Sequence, residues 1–116
     1  MALSKSSSAI TQLTASGTST TATISAGVSP LVSLYHSNGT GSVSAAATAQ
    51  VQYRVDGAAR WYSPTSLLVT FGTTAAAVES RRVSLPDSAT SSRIVYTAPT
   101  GPTGYTLDAE TSYVTP

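Results

Sequence analysis

Short strand-like runs that recur every 8 to 14 residues constrain this chain more than any other feature. Each run is rich in Val, Ile, Leu, Tyr or Thr and is followed by Gly, Pro, Asn or Asp. This spacing is typical of β-sandwiches and β-barrels, in which every strand is followed by a turn. We predict strands within residues 9–15, 19–25, 30–37, 42–55, 66–71, 76–85, 92–98 and 105–114.

Two dipeptides between these runs predict tight turns. Asn38-Gly39 and Asp56-Gly57 tolerate the positive φ angles of a two-residue hairpin turn. The first dipeptide predicts a hairpin that joins residues 30–37 to residues 42–55. The second predicts a hairpin over residues 50–63, in which an Arg-Trp-Tyr segment runs back along the preceding strand.

The composition favours strands over helices. Hydrophobic residues make up 41% of the 116 residues and charged residues 9%, whereas a typical globular domain has about 25% charged residues. Lys, Glu and Met are scarce, and β-branched Thr and Val are abundant. We predict that residues 9–116 form one all-β domain, an antiparallel β-sandwich similar to immunoglobulin or fibronectin type III domains, with a jelly roll as the alternative. Residues 1–8, MALSKSSS, are small and polar and predict a flexible N-terminal arm.

Charge and residue usage argue against several kinds of partner. The formal net charge is +1 and the basic residues are scattered apart from Arg81 and Arg82, so no basic stripe suits nucleic acid. No stretch approaches the ~20 apolar residues of a membrane helix, and the first eight residues do not resemble a secretory signal. Because the chain lacks Cys, it has no disulfide and no thiolate metal site. We expect synthesis in a cytoplasm, no cofactor, and neither nucleic-acid nor membrane partners.

Three side chains could carry chemistry, and each has a simpler interpretation. His36 is the only histidine, but the sequence contains no G-x-S-x-G motif to supply a nucleophile, so we predict a surface or edge histidine. Asp108 and Glu110 share one face of a strand and could form an acid–base pair or bind a hard cation. Glycosidase carboxylates usually come from different elements, and calcium loops use more oxygen ligands, so we predict a solvated strand face. The sequence therefore predicts that the protein is not an enzyme.

An aromatic group on the second predicted hairpin could bind a sugar ring. Trp61 and Tyr62, with Tyr53 across the hairpin, could form a stacking platform. Adjacent residues of a strand point to opposite faces, so only one of Trp61 and Tyr62 can lie in the core. We predict that Trp61 packs in the core and that Tyr62 is exposed as an interface residue.

Two further motifs have structural interpretations. Arg81 and Arg82 point to opposite faces, which argues against a phosphate clamp, and we expect one of them to pair with Glu79 or with a neighbouring subunit. The sequence Asn38-Gly39-Thr40 matches the glycosylation motif, but we interpret it as the hairpin turn.

Several compositional features together resemble one class of proteins. The Met-Ala start, the Ser-rich arm, the abundance of Ala, Ser, Thr and Gly, the few charges and the lack of Cys are shared with small virion proteins of tailed bacteriophages. Capsid decoration (cement) proteins are the most similar group. The resemblance covers the whole chain, from MALSKSSS through VQYRVDGAARWYSP to SRIVYTAPTGPTGY.

This resemblance implies a virion protein, made in the host cytoplasm, that binds and stabilises the assembled capsid. The implied partners are the major capsid protein or other virion proteins, together with further copies of the same chain, often in trimers. We expect the interface to include five residues, namely Leu3, Lys5, Arg60, Tyr62 and Tyr105.

Two other functions fit the same sequence. The chain could be a head-fibre base, a neck protein or a tail protein of a phage. It could instead be a carbohydrate-binding or adhesion module in which Tyr62 and Trp61 contact sugar.

Overall fold

A computed structural model of the chain describes residues 4–24, 28–55 and 59–115. The described strands form two antiparallel sheets that pack face to face, so the predicted all-β sandwich is confirmed. The strands are β1 Ser4–Ala9, β2 Gly17–Thr18, β3 Ala22–Thr23, β4 Val28–Ser37, β5 Thr48–Val55, β6 Leu68–Thr70, β7 Val78–Ser84, β8 Ala89–Thr97 and β9 Thr106–Thr115. A 3-10 turn, Thr65–Leu67, precedes β6.

The order of the strands places distant parts of the chain side by side. The four-stranded sheet has the order β1-β9-β4-β7, and the second sheet has the order β2-β8-β5-β6 with β3 also paired to β8. The first strand pairs along its whole length with the second half of the last strand, with Ser4 opposite Thr115 and Ala9 opposite Glu110. Each sheet therefore has an outermost strand on both sides.

The predicted flexible arm is wrong for residues 4–8. These residues belong to β1, where they pair with β9, and residues 1–3 lie outside the described part of the chain. Serine has only a modest preference for strands, but its backbone groups bond to a long neighbouring strand as well as those of any other residue. The neighbouring strand, not the local composition, determines this structure.

The predicted hairpin at Asn38-Gly39 is also wrong, and only Gly39 of the dipeptide adopts a positive φ. Strand β4 pairs with β7 and β9, whereas β5 lies in the other sheet, so the dipeptide carries the chain from one sheet to the other. Gly39 has a φ of 71°. The buried Asn38 side chain donates hydrogen bonds from Nδ2 to the carbonyl oxygens of Gly72, at 3.1 Å, and Thr74, at 2.8 Å. Asn38 thus links a crossing segment to the loop before β7.

The second predicted hairpin is confirmed at the point where the structure describes it. Tyr53 and Tyr62 exchange two backbone hydrogen bonds, with N to O distances of 3.2 and 2.8 Å. The turn residues 56–58 lie outside the described part. Because directly opposite residues share a face, this pair fixes which way each neighbouring side chain points.

The core lies between the two sheets and is formed by alternate residues of their strands. On β9, Leu107, Ala109 and Thr111 are buried, while Asp108 and Glu110 are exposed, as the alternation predicts. The principal core side chains are Ile24, Val32, Leu34, Val51, Phe71, Leu85, Ile94, Tyr96 and Leu107. The positions that could contact a partner are therefore on the outer faces and at the outermost strands.

Candidate interaction surfaces

An arginine–tryptophan cluster, formed by Arg54, Trp61 and Arg93, lies on the outer face of the five-stranded sheet. The guanidinium carbon of Arg54 lies 4.5 Å from the centre of the indole ring, and that of Arg93 lies 4.2 Å from it. Both distances are within the range of cation–π contacts. Arg93 Nε also donates a 2.7 Å hydrogen bond to Gln52 Oε1. The planar groups of the cluster therefore hold one another in place.

The predicted core position of Trp61 is wrong, and the register of the hairpin explains why. Val51 is buried on the inner face of β5, so Tyr53 is on the same inner side and Arg54 on the outer side. Tyr62 is opposite Tyr53 and shares its side, which leaves Trp61 on the outer side with Arg54. Trp61 and Tyr62 point to opposite faces, as predicted, but Trp61 lies on the outer side and Tyr62 on the inner side, which is the reverse of the prediction.

Tyr62 is exposed, as predicted, although it is on the inner side of the sheet. Its ring stacks on that of Tyr53, with the ring centres 5.6 Å apart and the planes 25° apart. The residue remains 40% exposed because this pair lies where the hairpin leaves the core. Tyr62 thus presents an aromatic ring that a neighbour holds in position.

The residues that we expected in one interface occupy separate parts of the molecule. Lys5 is exposed on β1 of the four-stranded sheet and pairs with Val114, whereas Tyr105 is half-buried just before the other end of β9. Tyr105 and Val114 are nine residue steps apart along an extended chain, which corresponds to roughly 30 Å. Arg60 is exposed beside the other sheet with Tyr62, and Leu3 lies outside the described part. The structure brings together only Arg60 and Tyr62.

His36 is buried, so its predicted surface position is wrong. Its Nε2 lies 2.7 Å from Tyr96 Oη, and its ring stacks on Phe71 with the centres 4.4 Å apart. Burial lowers the pKa of His36 below its ordinary value of 6.5, and the negative charge of Glu79 opposes this shift. The alternation of Val32 and Leu34 along β4 continues to this position, and this signal could have placed His36 on the inner face.

Asp108 and Glu110 are exposed, which confirms the predicted solvated face. Both carboxylate oxygens of Asp108 accept hydrogen bonds from Gln12 Nε2, at 3.0 and 3.2 Å. Among the described residues, no group of three or more His, Asp or Glu side chains is arranged to hold a metal ion. This pair is a polar part of the outer face of β9.

The outermost strand β7 carries the remaining charges of interest. Arg81 Nη2 lies 2.7 Å from Glu79 Oε2, so the predicted pairing of one arginine with Glu79 is confirmed for Arg81. Glu79 Oε1 also accepts a 2.7 Å hydrogen bond from the backbone N–H of Gly72. Arg82 is exposed on the opposite face, and Val78 is 74% exposed at the start of the strand.

Within the described residues, no helix has the length and apolar character needed to cross a membrane.

Comparison with known proteins finds similarity to solved structures only. No protein-family model matches the chain. No curated protein sequence matches it. A solved structure described as "Family 16 Carbohydrate Binding Module-2" aligns with 90% of this chain and 74% of its own length, at 10% sequence identity and a TM-score of 0.43. This similarity is too low to support a functional argument. The fold class rests on the strand order described above.

Proposed function

We propose that the protein is a non-enzymatic virion structural protein that binds and stabilises an assembled bacteriophage capsid. The compositional resemblance to decoration proteins supports this function. The observation that carries it is the arginine–tryptophan cluster, because Arg, Trp and Tyr are the residues most enriched at energetically important contacts. Arg54, Trp61 and Arg93 lie together on an outer sheet face. Tyr62, the next residue after Trp61, lies on the inner side and is exposed.

The geometry of the cluster suits binding at low entropic cost. An exposed arginine normally loses side-chain freedom when it enters an interface. Here the stacking of Arg54 and Arg93 on the indole, and the hydrogen bond from Arg93 to Gln52, already restrict the side chains. The guanidinium edges can then donate hydrogen bonds to carboxylates and carbonyl oxygens of a capsid surface.

Stabilisation of the particle would follow from binding alone. A protein that binds the assembled shell and not the free subunits shifts the equilibrium toward the shell. Many copies on one particle would turn a modest contact into a large total effect. The major capsid protein, or another exposed virion protein, is the proposed partner.

Binding to particles tests this function directly. The wild-type protein is expected to sediment with capsids that lack it and to raise the temperature at which they rupture. Trp61→Ala is expected to weaken binding about 30-fold, corresponding to about 2 kcal/mol for an interface hot spot. Tyr35→Ala is the matched control, because Tyr35 is 48% exposed on the other sheet. Unchanged rupture temperature with the wild-type protein would contradict the stabilising role.

Placement on the particle separates this function from other virion roles. A decoration protein should give density across the shell in electron cryo-microscopy. Density only at a vertex or on the tail would instead indicate a head-fibre base, neck or tail protein.

A carbohydrate-binding module is the second candidate, and one observation favours it. Tyr62 is exposed and its ring is supported by Tyr53, which is an arrangement that can stack on a sugar. The indole of Trp61 is less available, because two guanidinium groups lie against it. A glycan array should then give a hit that Tyr62→Ala abolishes, and an array without hits would exclude this candidate.

A further inference from the structure

The edge of β7 that faces away from β4 pairs with no other strand of the described chain, and its hydrogen-bonding groups can be assigned. Within the described residues, β4 is the only strand that pairs with β7. Leu85 N donates to Pro30 O at 2.9 Å, and Asn38 N donates to Ala77 O at 3.0 Å. Since bonding alternates along an antiparallel pair, the odd-numbered residues of β7 bond to β4. The even-numbered residues therefore direct their backbone N–H and C=O groups outward, and these residues are Val78, Ser80, Arg82 and Ser84.

We propose that β7 of one copy pairs antiparallel with β7 of a second copy, with Ser80 opposite Ser80. The two four-stranded sheets then join into one continuous sheet across a two-fold axis. Such an isologous contact closes on itself and produces a dimer. The inference goes beyond the proposed function, because it concerns contacts between copies and does not require a capsid.

Charge complementarity selects this register. Directly opposite residues of an antiparallel pair point to the same face of the sheet. In a continuous sheet with a two-fold axis, inner side chains must therefore be opposite inner side chains, and this requires that one residue of β7 lies on the axis, opposite its own copy. With the axis at Ser80, Glu79 of each copy is opposite Arg81 of the other. With the axis at Glu79, Arg81 or Arg82, that charged residue is opposite its own copy, which is destabilising. The register centred on Ser80 is therefore the central register that brings opposite charges together.

In the single chain, the side chains of β7 are already placed for this contact. Arg81 and Glu79 are 2.7 Å apart within one chain, so in the dimer each carboxylate lies between its own arginine and that of the second copy. In the same register Val78, which is 74% exposed, is opposite Arg82 of the second copy. The aliphatic part of an arginine side chain can cover such an apolar group while its charge stays in water.

Charges on an outermost strand usually prevent edge-to-edge pairing. On β7 they disfavour the shifted registers described above, and they favour the one centred on Ser80. The same residues thus disfavour the other registers and permit one closed dimer.

Single cysteines test the register, because the sequence contains no Cys. Directly opposite residues of a hydrogen-bonded pair have Cα atoms about 5.5 Å apart, which is within the range that a disulfide spans. Ser80→Cys is expected to form a covalent dimer nearly completely under mild oxidation. Val78→Cys is the matched control and is expected to stay monomeric on a denaturing gel, because its opposite residue is Arg82. Mixing Val78→Cys with Arg82→Cys should restore cross-linking.

Two outcomes would overturn the proposed register. One is that neither the Ser80→Cys variant nor the mixture of Val78→Cys with Arg82→Cys forms a cross-linked dimer. The other is a Val78→Cys variant that cross-links as fast as Ser80→Cys.

Proline substitutions test the hydrogen bonds of the dimer. Ser80→Pro removes an outward N–H that β4 does not use, so the single chain should keep its circular dichroism spectrum. Its dimer dissociation constant, measured by sedimentation equilibrium, is expected to rise at least tenfold. Ser84→Pro is the control and should leave the dimer dissociation constant unchanged. In the proposed register Ser84 is opposite Ala76, which lies beyond the end of β7 and has a positive φ, so this pair is outside the joined strands. A wild-type chain that stays monomeric at millimolar concentration would overturn the inference, whether or not the protein binds capsids.

Discussion

His36 lies inside the sandwich, hydrogen-bonded to Tyr96 and opposite Glu79. Burial lowers the pKa of His36 below 6.5, and burial together with the nearby Tyr105 raises the pKa of the Tyr96 phenol, which stays protonated. The unfolded chain binds a proton at His36 near pH 6.5, whereas the folded chain resists it until a lower pH. The contribution of His36 to stability is therefore complete above pH 6.5 and is lost as the pH falls through the folded pKa.

This linkage predicts a difference between the wild type and His36→Gln. The free energy of unfolding of the wild type should fall between pH 7.5 and pH 5, because the unfolded state binds more protons than the folded state. The variant should be less stable at pH 7.5 but should show a smaller change over that range. Urea denaturation at several pH values measures both. Parallel pH profiles for the two proteins would contradict the prediction.

Two glycines with similar positive φ angles separate backbone strain from crowding. Gly39 and Gly104 have φ angles of 71° and 74°. A Cβ on Gly39 would collide with the backbone of Thr103 and its two successors, whereas a Cβ on Gly104 would meet nothing within 4 Å. We expect Gly104→Ala to cost about 1 kcal/mol of stability from φ alone, and Gly39→Ala to cost about 2–5 kcal/mol because the clash adds to it. Chemical denaturation measures both, and equal losses would show that crowding contributes nothing.

At the scale of elements, β1 offers a test of whether the Ser-rich segment is a strand or a flexible arm. Ile10 N donates to Ala109 O at 3.1 Å, so the backbone groups of the even-numbered residues of β1 bond to β9. The backbone N–H and C=O groups of the odd-numbered residues point away from β9. Ser8→Pro should therefore lower the free energy of unfolding by about 1–3 kcal/mol, because it leaves a strand hydrogen bond unmade. Ser7→Pro should have little effect. Equal stability of the two variants would support the arm.

Features that depend on local pattern were predictable, and features that depend on a distant neighbour were not. The sequence pattern identifies β4, β7, β8 and β9 because each alternates or is apolar over its own length. It does not identify β1, because the reason for that strand is its partner β9 at the other end of the chain. Likewise, the residue types of Asn38-Gly39 suit both a hairpin and a crossing between sheets, and only the sheet order distinguishes them.

The arginine–tryptophan cluster shows the same limit within the candidate site. Its residue types are visible in the sequence, and the alternation of Trp61 and Tyr62 follows from strand geometry. The phase of that alternation depends on the register of the hairpin, and a shift of one residue moves every side chain to the other face. Arg93, which completes the cluster, comes from β8 and is brought there only by the pairing of β5 with β8.

At the scale of the whole molecule, the strand order predicts slow folding. The pairs β1 with β9, β4 with β9 and β5 with β8 join segments that are far apart in the sequence. Closing such long loops before the contacts form makes all-β domains fold in roughly milliseconds to seconds. Stopped-flow refolding can be followed by the fluorescence of Trp61, the only tryptophan. A main refolding phase faster than about a millisecond would contradict this expectation.

Ser4 lies directly opposite Thr115, so the described ends of the chain are neighbours in one sheet. A tensile force applied through these two ends would break the hydrogen bonds of the β1–β9 pair one after another. It would not load all of these bonds together in shear. The molecule should therefore yield to small forces when it is tethered by both ends.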